Sequence, residues 1–294
     1  MGKRQVTVAA VQMQCTNHPQ ENLKKRRKKW YVRQLPPVHR SFCSRNFLRE
    51  NISVSRGDMI FTVMRSLWKK SEAVCWGRKL AKELKVVLPI SFYEKEVNNL
   101  YNSVACIDAD GELLGVYRKT HIPDDHYYQE KFYFTPGDTG FRVFDTRYGK
   151  IGVGICWDQW FPETARCMAL EGAELLFYPT AIGSEPILAC DSMPHWRRCM
   201  QGHAAMNLMP VIAANRIGKE EVKPCAENGG QESSLIFYGS SFITDETGEL
   251  LQTASRDQEE ILTETFDLDE LAAKRLEWGL FRDRRPKCYG KITE

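Results

Sequence analysis

Apolar and β-branched residues recur along most of the chain in short runs that turn residues separate, which is the pattern of buried β-strands. The runs predict strands at residues 6–13, 86–92, 101–108, 113–118, 141–145, 150–156, 175–179, 209–215, 238–245, 248–252 and 260–266. Helical periodicity predicts one helix that ends near Leu84 and two more over 161–171 and 195–207. The turn Asp108-Ala-Asp-Gly111 is typical of a hairpin between two of these strands.

Strands thus alternate with a few helices and several hairpins, which predicts a layered α/β sandwich with mixed sheets. The 294 residues, 43% of them hydrophobic, are enough for one large domain, and no linker composition interrupts them. No apolar run approaches the roughly 20 residues of a membrane span. The ten cysteines are scattered, without metal-type spacing, which favours reduced thiols in the cytoplasm and no bound metal.

One stretch departs from this pattern. Residues 24–78 carry 15 Lys and Arg against three Asp and Glu, whereas the whole chain has a net charge of +3. The stretch contains Lys24-Lys-Arg-Arg-Lys-Lys29 and a Pro-Pro pair, and residues 41–71 follow neither a strand nor a helix period. It has two interpretations, a solvated loop or a basic surface that binds nucleic acid.

The strongest chemical signal is Cys156, which ends the run Ile151-Gly-Val-Gly-Ile-Cys156 just before a predicted helix. At such a junction the strand holds a nucleophile, and the turn frees backbone N–H groups for an oxyanion. Lys119 lies 37 residues upstream and supplies a candidate cation. A single cysteine or lysine is more often a core or surface residue, so the prediction depends on the combination. His121 and His203 are predicted to pack or hydrogen-bond and not to act as bases.

Several strings, in this order, resemble the nitrilase superfamily of carbon–nitrogen hydrolases. They are Tyr117-Arg-Lys-Thr-His-Ile-Pro-Asp124, Tyr128-Gln-Glu-Lys-Phe-Tyr-Phe134, Pro136-Gly-Asp-Thr-Gly140, Gly154-Ile-Cys-Trp-Asp-Gln-Trp-Phe-Pro-Glu163, Phe177-Tyr-Pro-Thr-Ala-Ile-Gly-Ser-Glu-Pro186, Met200-Gln-Gly-His203, Asn215-Arg-Ile-Gly218 and Trp278-Gly-Leu-Phe-Arg-Asp-Arg-Arg-Pro286. Within the superfamily, Ala181-Ile-Gly-Ser-Glu-Pro186 and Phe281-Arg-Asp-Arg-Arg-Pro286 favour the N-carbamoylputrescine amidases.

The resemblance implies a nitrilase-type αββα four-layer sandwich and a Glu–Lys–Cys catalytic set. By position in the strings, Cys156 is the nucleophile, Lys119 the lysine, and Glu130 a second glutamate that supports the lysine and the substrate. The implied reaction converts N-carbamoylputrescine to putrescine, CO2 and ammonia through a carbamoyl-cysteine, without metal or organic cofactor. The hydrolase domain is expected at 5–267, followed by an extension at 268–294 that contacts another copy in a homo-oligomer.

The implied substrate is a small ureido or amide compound, and no nucleic-acid or membrane partner is expected. Its distal ammonium calls for a carboxylate, for which Asp125, Asp158 and Glu185 are unranked candidates. The chain has Asp125-His-Tyr127 where the family tends to have Gly-Pro. A related amidase or β-ureido hydrolase with a different substrate therefore remains an alternative.

The general-base glutamate of the family is missing. The family carries it in a string like Q-E-L-F-E-G-Y-Y-F-C between the first strand and the first helix, and no such string stands there. When Arg45-Asn-Phe-Leu-Arg-Glu-Asn-Ile-Ser-Val54 is back-translated with permitted codons and read from the third base, it gives E-L-F-E-G-K-Y-F-C. Our hypothesis is that about residues 25–76 are translated out of frame.

This hypothesis explains the basic charge, the Pro-Pro pair and the missing periodicity together. The base glutamate would have been encoded across Arg45 and Asn46, and neither Glu50 nor Asp58 stands in a matching string. A chain with these residues as written is expected to lack the base. A third interpretation is therefore a catalytically inactive scaffold whose basic segment binds RNA or an acidic membrane.

Overall fold

The fold is seen in a computed structural model. It describes residues 4–15, 41–44, 71–124, 128, 130–184, 190–222, 224, 230 and 232–294. Asp125, Glu185 and most of the stretch 25–76 lie outside the described residues.

The described residues form strands and helices that alternate along the chain. The strands are β1 (Gln5–Gln12), β2 (Ser41–Ser44), β3 (Val86–Glu96), β4 (Asn99–Ile107), β5 (Leu113–Arg118), β6 (Val143–Thr146), β7 (Gly149–Val153), β8 (Leu175–Pro179), β9 (Val211–Ala214), β10 (Ile217–Val222), β11 (Ser233–Tyr238), β12 (Phe242–Thr244), β13 (Leu250–Thr253) and β14 (Glu260–Asp267). The α-helices are α1 (Glu72–Leu84), α2 (Pro162–Leu170), α3 (Met193–Asn207) and α4 (Leu268–Trp278). Short 3₁₀ turns span Glu130–Phe132, Cys156–Trp160, Pro286–Cys288 and Gly290–Thr293.

Two mixed sheets of six strands each contain most of these strands. The first sheet has the order β14-β1-β2-β3-β4-β5, and the second has the order β13-β12-β9-β8-β7-β6. In the first sheet β1, β2 and β3 run parallel to one another. The pairs β14–β1, β3–β4 and β4–β5 are antiparallel. In the second sheet β7, β8 and β9 run parallel. β10 and β11 form a separate antiparallel ribbon.

The two sheets pack face to face, because β1 and β2 contact β8 and β9. The main core is one continuous apolar cluster, which includes Val8, Phe177, Tyr178 and Phe242. Tyr178 and Phe242 lie close to His203 and Trp196 of α3, so the cluster extends from the sheets to the helices of the outer face. Helix α1 covers the outer face of the first sheet, where its Val74 joins a second apolar cluster. Helices α2 and α3 contact β7 and β9 on the outer face of the second sheet. The predicted αββα sandwich is confirmed.

The predicted hairpins agree with the observed pairing of β4 with β5 and of β6 with β7. The predicted strand at 150–156 is too long, because β7 ends at Val153 and a 3₁₀ turn begins at Cys156. The strand β2 lies in a stretch for which the sequence predicts no period, since four residues are too few to show alternation. The ribbon β10–β11 and helix α4 were not predicted either. β10 is rich in charged residues, with the sequence IGKEEV, and lacks the apolar alternation that marks a half-buried strand.

No helix in the part of the chain that the structure describes is long and apolar enough to cross a membrane. The described residues also contain no group of three or more His, Cys, Asp and Glu side chains arranged to hold a metal ion.

Candidate active site

Lys119 and Cys156 lie at one edge of the sandwich, where strands of both sheets end. Lys119 directly follows β5 of the first sheet. Cys156 follows β7, and Ala181 and Asn215 follow its parallel neighbours β8 and β9. The carboxyl ends of parallel strands are the usual place for a ligand crevice in α/β folds, because the loops that leave them converge there. The lysine thus comes from one sheet and the cysteine from the other.

Cys156 has a backbone φ of +63°, which is uncommon for a residue other than glycine. It is the first residue of the 3₁₀ turn Cys156–Trp160, and Pro162 then opens helix α2. The thiol is partly exposed, and its Sγ lies 3.8 Å from the carbonyl oxygen of Ala181. Backbone strain of this kind persists where the surroundings hold it, and it is frequent at active sites. The turn therefore leaves the thiol partly exposed beside Ala181, which is compatible with the nucleophile predicted from sequence.

Lys119 is 1% exposed, and its ammonium contacts the carboxylate of Glu130. Nζ lies 2.8 and 2.7 Å from the two carboxylate oxygens. The side-chain amide of Asn102 donates to the same carboxylate over 3.4 Å, and the Asn102 carbonyl accepts the backbone N–H of Lys119 over 2.8 Å. The structure thus brings together Lys119 and Glu130, two of the residues singled out from sequence.

The environment of Lys119 acts on its pKa in opposite directions. Burial alone lowers the pKa, because it disfavours the charged form. The charge of Glu130 and its hydrogen bonds to the ammonium, with electrostatic contributions from Cys156 and Asp158, raise it by more, so the pKa of Lys119 lies above its ordinary value. The lysine is therefore held as an ammonium ion at neutral pH and places a positive charge, paired with Glu130, in the buried part of the site.

Side-chain and backbone contacts fix the end of β5, which leads to Lys119. Arg118 donates to both carboxylate oxygens of Glu94 over 2.8 and 3.0 Å, and its guanidinium lies 4.0 Å above the ring of Tyr101. The backbone N–H of Gly137 donates to the Lys119 carbonyl over 2.8 Å. A Cβ at Gly137 would lie 2.1 Å from the Arg118 carbonyl oxygen. The close approach of these two backbones thus depends on glycine at this position.

Asp158 lies two residues after the cysteine and is fully buried. Its Oδ1 accepts from the backbone N–H of His121 over 3.0 Å and lies 2.8 Å from the ring Nδ1 of the same residue. Its Oδ2 accepts from the hydroxyl of Tyr117 over 2.7 Å and from the backbone N–H of Ile155 over 2.9 Å. The substrate-binding role predicted for Asp158 disagrees with this environment, because both oxygens already have protein partners and neither reaches solvent.

Asn215, which sequence reasoning left without a role, fixes the loop that faces the cysteine. Its side chain accepts from the backbone N–H of Ile182 over 3.0 Å and donates to the carbonyls of Ile182 and Gly239, both over 2.9 Å. The hydroxyl of Tyr128 accepts from the backbone N–H of Gly183 over 3.2 Å. Asn215 is a polar residue directly after the buried strand β9. This position is visible in the sequence and could have marked Asn215 as a candidate.

Aromatic side chains line the outer side of the cysteine turn. Trp157 is 38% exposed, and its ring centroid lies 6.3 Å from that of Trp160 and 6.5 Å from that of Phe161. The ring of His121 stacks on Phe161 with centroids 3.6 Å apart. His203 is buried and contacts the carbonyl oxygen of Gln159 through Nε2 over 2.8 Å. Both histidines thus have packing and hydrogen-bonding partners of the kind expected from sequence.

An αββα sandwich with a strained cysteine and a buried lysine–glutamate pair defines a class of cysteine hydrolases. A model of the carbon–nitrogen hydrolase family matches residues 7–276, and the chain belongs to this family.

Individual members of this family are similar to the chain over most of its length. The N-carbamoylputrescine amidase of Oryza sativa subsp. japonica is 50% identical over 286 residues, which cover 97% of this chain and 93% of that protein. A protein of Francisella tularensis named citrullinase is 57% identical over 215 residues, which cover 73% of this chain and 72% of that protein. The crystal structure of a carbon–nitrogen hydrolase from Helicobacter pylori superposes with a TM-score of 0.84 at 33% identity and covers 99% of both chains.

Proposed function

We propose that the protein hydrolyses the ureido group of N-carbamoylputrescine and releases putrescine, CO2 and ammonia. The observation that carries this proposal is the Lys119–Glu130 pair, buried at the sheet edge where Cys156 also lies. The relatives support the substrate, because the rice protein bears this name at 50% identity over nearly the whole chain.

The geometry supports a covalent route. The Cys156 thiolate attacks the ureido carbon, and negative charge develops on the ureido oxygen. The Lys119 ammonium and a backbone N–H that follows the cysteine stabilise this charge, and such donors contribute about 3–4 kcal/mol each. Proton transfer to the leaving nitrogen releases the amine and leaves a carbamoyl thioester on Cys156. Water then attacks the thioester, and the resulting carbamate decomposes to CO2 and ammonia.

The proton of the thiol needs an acceptor. If residues 25–76 are translated out of frame, the other frame encodes a glutamate that would serve as this acceptor. Because β5 runs parallel to β2 across the first sheet, β2 ends at Ser44 at the same edge that carries Lys119. The codons for Arg45 and Asn46, which follow directly, are those that would encode the missing glutamate in the other frame. The residues from 45 to 70 lie outside the described part of the chain, so this stays a proposal.

Sequencing the transcript across codons 20–80 tests the frame hypothesis. A single open frame that encodes E-L-F-E-G would restore the base. A transcript that confirms the residues as written, with E-L-F-E-G absent from every frame, would contradict the hypothesis. Such a transcript would favour the interpretation of the protein as a catalytically inactive scaffold. Salt-dependent retention of the protein on nucleic acid would support that interpretation.

Turnover of N-carbamoylputrescine by two proteins tests the proposed function. One protein is the chain as written, and the other has the stretch 25–76 read in the other frame. General-base catalysis contributes about 10²–10⁴-fold, so the second protein is expected to be faster by that factor. Cys156→Ala in the second protein should abolish turnover. A folded second protein without activity on any ureido compound would contradict the proposal.

Citrulline is the second candidate substrate, and the relative named citrullinase at 57% identity favours it. Citrulline carries the same ureido group but adds an α-carboxylate to the amine end. A panel of both compounds and a neutral alkyl urea separates the candidates by kcat/KM. Asp125 and Glu185 remain proposals for the carboxylate that binds the distal ammonium. Asp125→Asn or Glu185→Gln should raise KM for the cationic substrate far more than for the neutral urea.

We further propose a cytoplasmic homo-oligomer that needs no cofactor. Eight cysteines in the described part of the chain are free thiols, which supports a reducing compartment. Large apolar side chains stay exposed in the region 268–294, among them Leu276 at 79%, Trp278 at 71% and Ile292 at 67%. Exposed apolar residues of this size are typical of contact surfaces, which supports the predicted contact with another copy.

A further inference from the structure

The carboxylate of Asp158 connects the two walls of the site. Two of its partners, Tyr117 and His121, stand two residues before and two residues after Lys119, at the end of a strand of the first sheet. Its third partner, Ile155, directly precedes Cys156 and lies two residues after β7 of the second sheet. One fully buried side chain therefore bonds to the backbone on the lysine side and to the backbone on the cysteine side.

The bonding of this carboxylate is complete. A buried carboxylate loses its hydration and needs hydrogen-bond donors to stay charged. Asp158 has two backbone N–H donors, one hydroxyl donor and one imidazole nitrogen within 3.0 Å. Burial, with the charge of Asp158 as a further cause, raises the pKa of Tyr117, so its hydroxyl remains a donor throughout the physiological range. These donors come both from the chain around Lys119 and from the residue before Cys156.

We infer that Asp158 is a positioning residue that sets the separation between the Lys119 ammonium and the Cys156 thiol. The inference rests on the proposed function, because it takes Cys156 as the nucleophile. Asp158 itself does not touch the substrate. It holds the turn in which Cys156 adopts its positive φ against the strand end that supplies the cation.

Two roles for Asp158 predict opposite signs for the reactivity of the thiol. If Asp158 acts only as a nearby negative charge, its removal favours the thiolate of Cys156 and speeds alkylation. If it positions Lys119, its removal lets the ammonium and the thiol separate. The thiolate then loses its cation, and alkylation slows.

The experiment measures alkylation of Cys156 by iodoacetamide as a function of pH in the full chain. Tryptic cleavage after Lys150 and Arg166 isolates a peptide in which Cys156 is the only cysteine, so mass spectrometry follows this thiol alone. In Asp158→Asn the midpoint of the pH profile should rise by about one pH unit, which slows alkylation about tenfold near neutral pH. Asp283→Asn is the matched control, because that carboxylate is 70% exposed and pairs with its neighbour Arg282.

Milder variants keep the test decisive if Asp158→Asn fails to fold. Tyr117→Phe removes one donor and keeps the buried ring, so it should shift the profile in the same direction by a smaller amount. His121→Asn retains a side-chain N–H close to the place of Nδ1, whereas His121→Ala does not. Alkylation should be close to normal in His121→Asn and slower in His121→Ala.

Unchanged or faster alkylation in Asp158→Asn and Tyr117→Phe would overturn the inference. A loss of thermal stability with an unshifted pH profile would also overturn it, since a purely structural role predicts that result. The readout needs no substrate. Failure of the proposed function would show as absent turnover with a normal alkylation profile, and the two failures are therefore distinguishable.

Discussion

At the scale of the residue, the Lys119–Glu130 pair is the least replaceable feature. The Lys119 side chain is 0% exposed and that of Glu130 is 8% exposed. Removing one partner of a buried ion pair leaves an uncompensated charge and costs about 3–5 kcal/mol. We therefore expect Glu130→Gln to lower the free energy of unfolding by about this amount, as measured by urea denaturation.

The control for this prediction is Glu246→Gln. Glu246 is buried to the same degree, but its partner Lys274 is 46% exposed. An ion pair with one exposed partner contributes about 1 kcal/mol or less. If both variants lose the same free energy of unfolding, burial of the lysine partner does not determine the contribution of the ion pair.

His203 makes the stability depend on pH. Burial lowers its pKa below the ordinary value of 6.5, and the hydrogen bond to Gln159 opposes this only in part. Because the folded pKa is depressed, the unfolded chain binds more protons below pH 6.5. The stabilisation is thus present above this pH and is lost as the pH falls, with a slope of at most about 1.4 kcal/mol per pH unit.

The measurement compares the free energy of unfolding of the parent chain and of His203→Gln between pH 5 and pH 8. The variant should show the shallower decline below about pH 6.5. His195→Gln is the matched control, since His195 is exposed on the same helix. Parallel curves for the parent and His203→Gln would contradict the prediction.

Sequence reasoning singled out Cys156, Lys119 and Glu130 because short strings of neighbours mark them. It did not find the part that Asn102 plays beside Glu130, since that part depends on pairing between β4 and β5. Its substrate-binding prediction for Asp158 did not anticipate the buried bonding of this carboxylate, for a related reason. A carboxylate two residues from a nucleophile looks available to a ligand in sequence, and its partners become visible only when the two sheets pack together.

At the scale of the element, the end of β5 depends on a backbone contact that a side chain would disrupt. A Cβ at Gly137 would lie 2.1 Å from a carbonyl oxygen of the strand that leads to Lys119. Overpacking of this kind costs about 1–3 kcal/mol. We expect Gly137→Ala to destabilise the protein by at least that amount and to slow alkylation of Cys156.

The contrasting variant is Gly202→Ala in the middle of α3. A Cβ there would approach the flexible end of the Met206 side chain at 3.3 Å. Alanine in place of an interior helical glycine stabilises by about 0.5–1 kcal/mol. Thermal melting should therefore move in opposite directions for the two variants, and a shift in the same direction would show that the contact at Gly137 is not limiting.

Elements with a strong period were predictable, and those without one were not. The strand β8 was predicted with its observed bounds because five consecutive residues are buried. The strand β2 has four residues between two parallel neighbours, and its place is set by β1 and β3 and not by its own pattern. Helix α4 begins with Asp267 as an N-cap that accepts from the N–H groups of Asp269 and Glu270, a local signal that was present in the sequence and was missed.

At the scale of the whole molecule, the exposed apolar residues of the C-terminal region predict self-association. Leu276→Glu combined with Trp278→Glu should lower the mass measured by sedimentation equilibrium, because charges replace apolar contact area. Val97→Glu is the control, since Val97 is 77% exposed in a different part of the molecule. An unchanged mass in the double variant would place the contact between copies elsewhere.

The layered architecture was the part of the molecule that the sequence predicted best. Alternating strands and hairpins limit a chain of this length to few arrangements. The arrangement of strands within each sheet was not predictable in the same way, because β14 pairs with β1 across 247 intervening residues, from Gln12 to Glu260 at the near ends. Such pairing follows from the global fold and not from any local signal.

The division of the site between two sheets has a practical consequence. Lys119 follows a strand of one sheet and Cys156 a strand of the other, so the proposed pairing of thiol and cation depends on how the two sheets are aligned. Each sheet retains its own hydrogen bonds if the sheets slide apart slightly. The rate of Cys156 alkylation during gentle heating would therefore fall before circular dichroism records any loss of strands. The reactivity of one cysteine can thus report on the packing of the two sheets against each other.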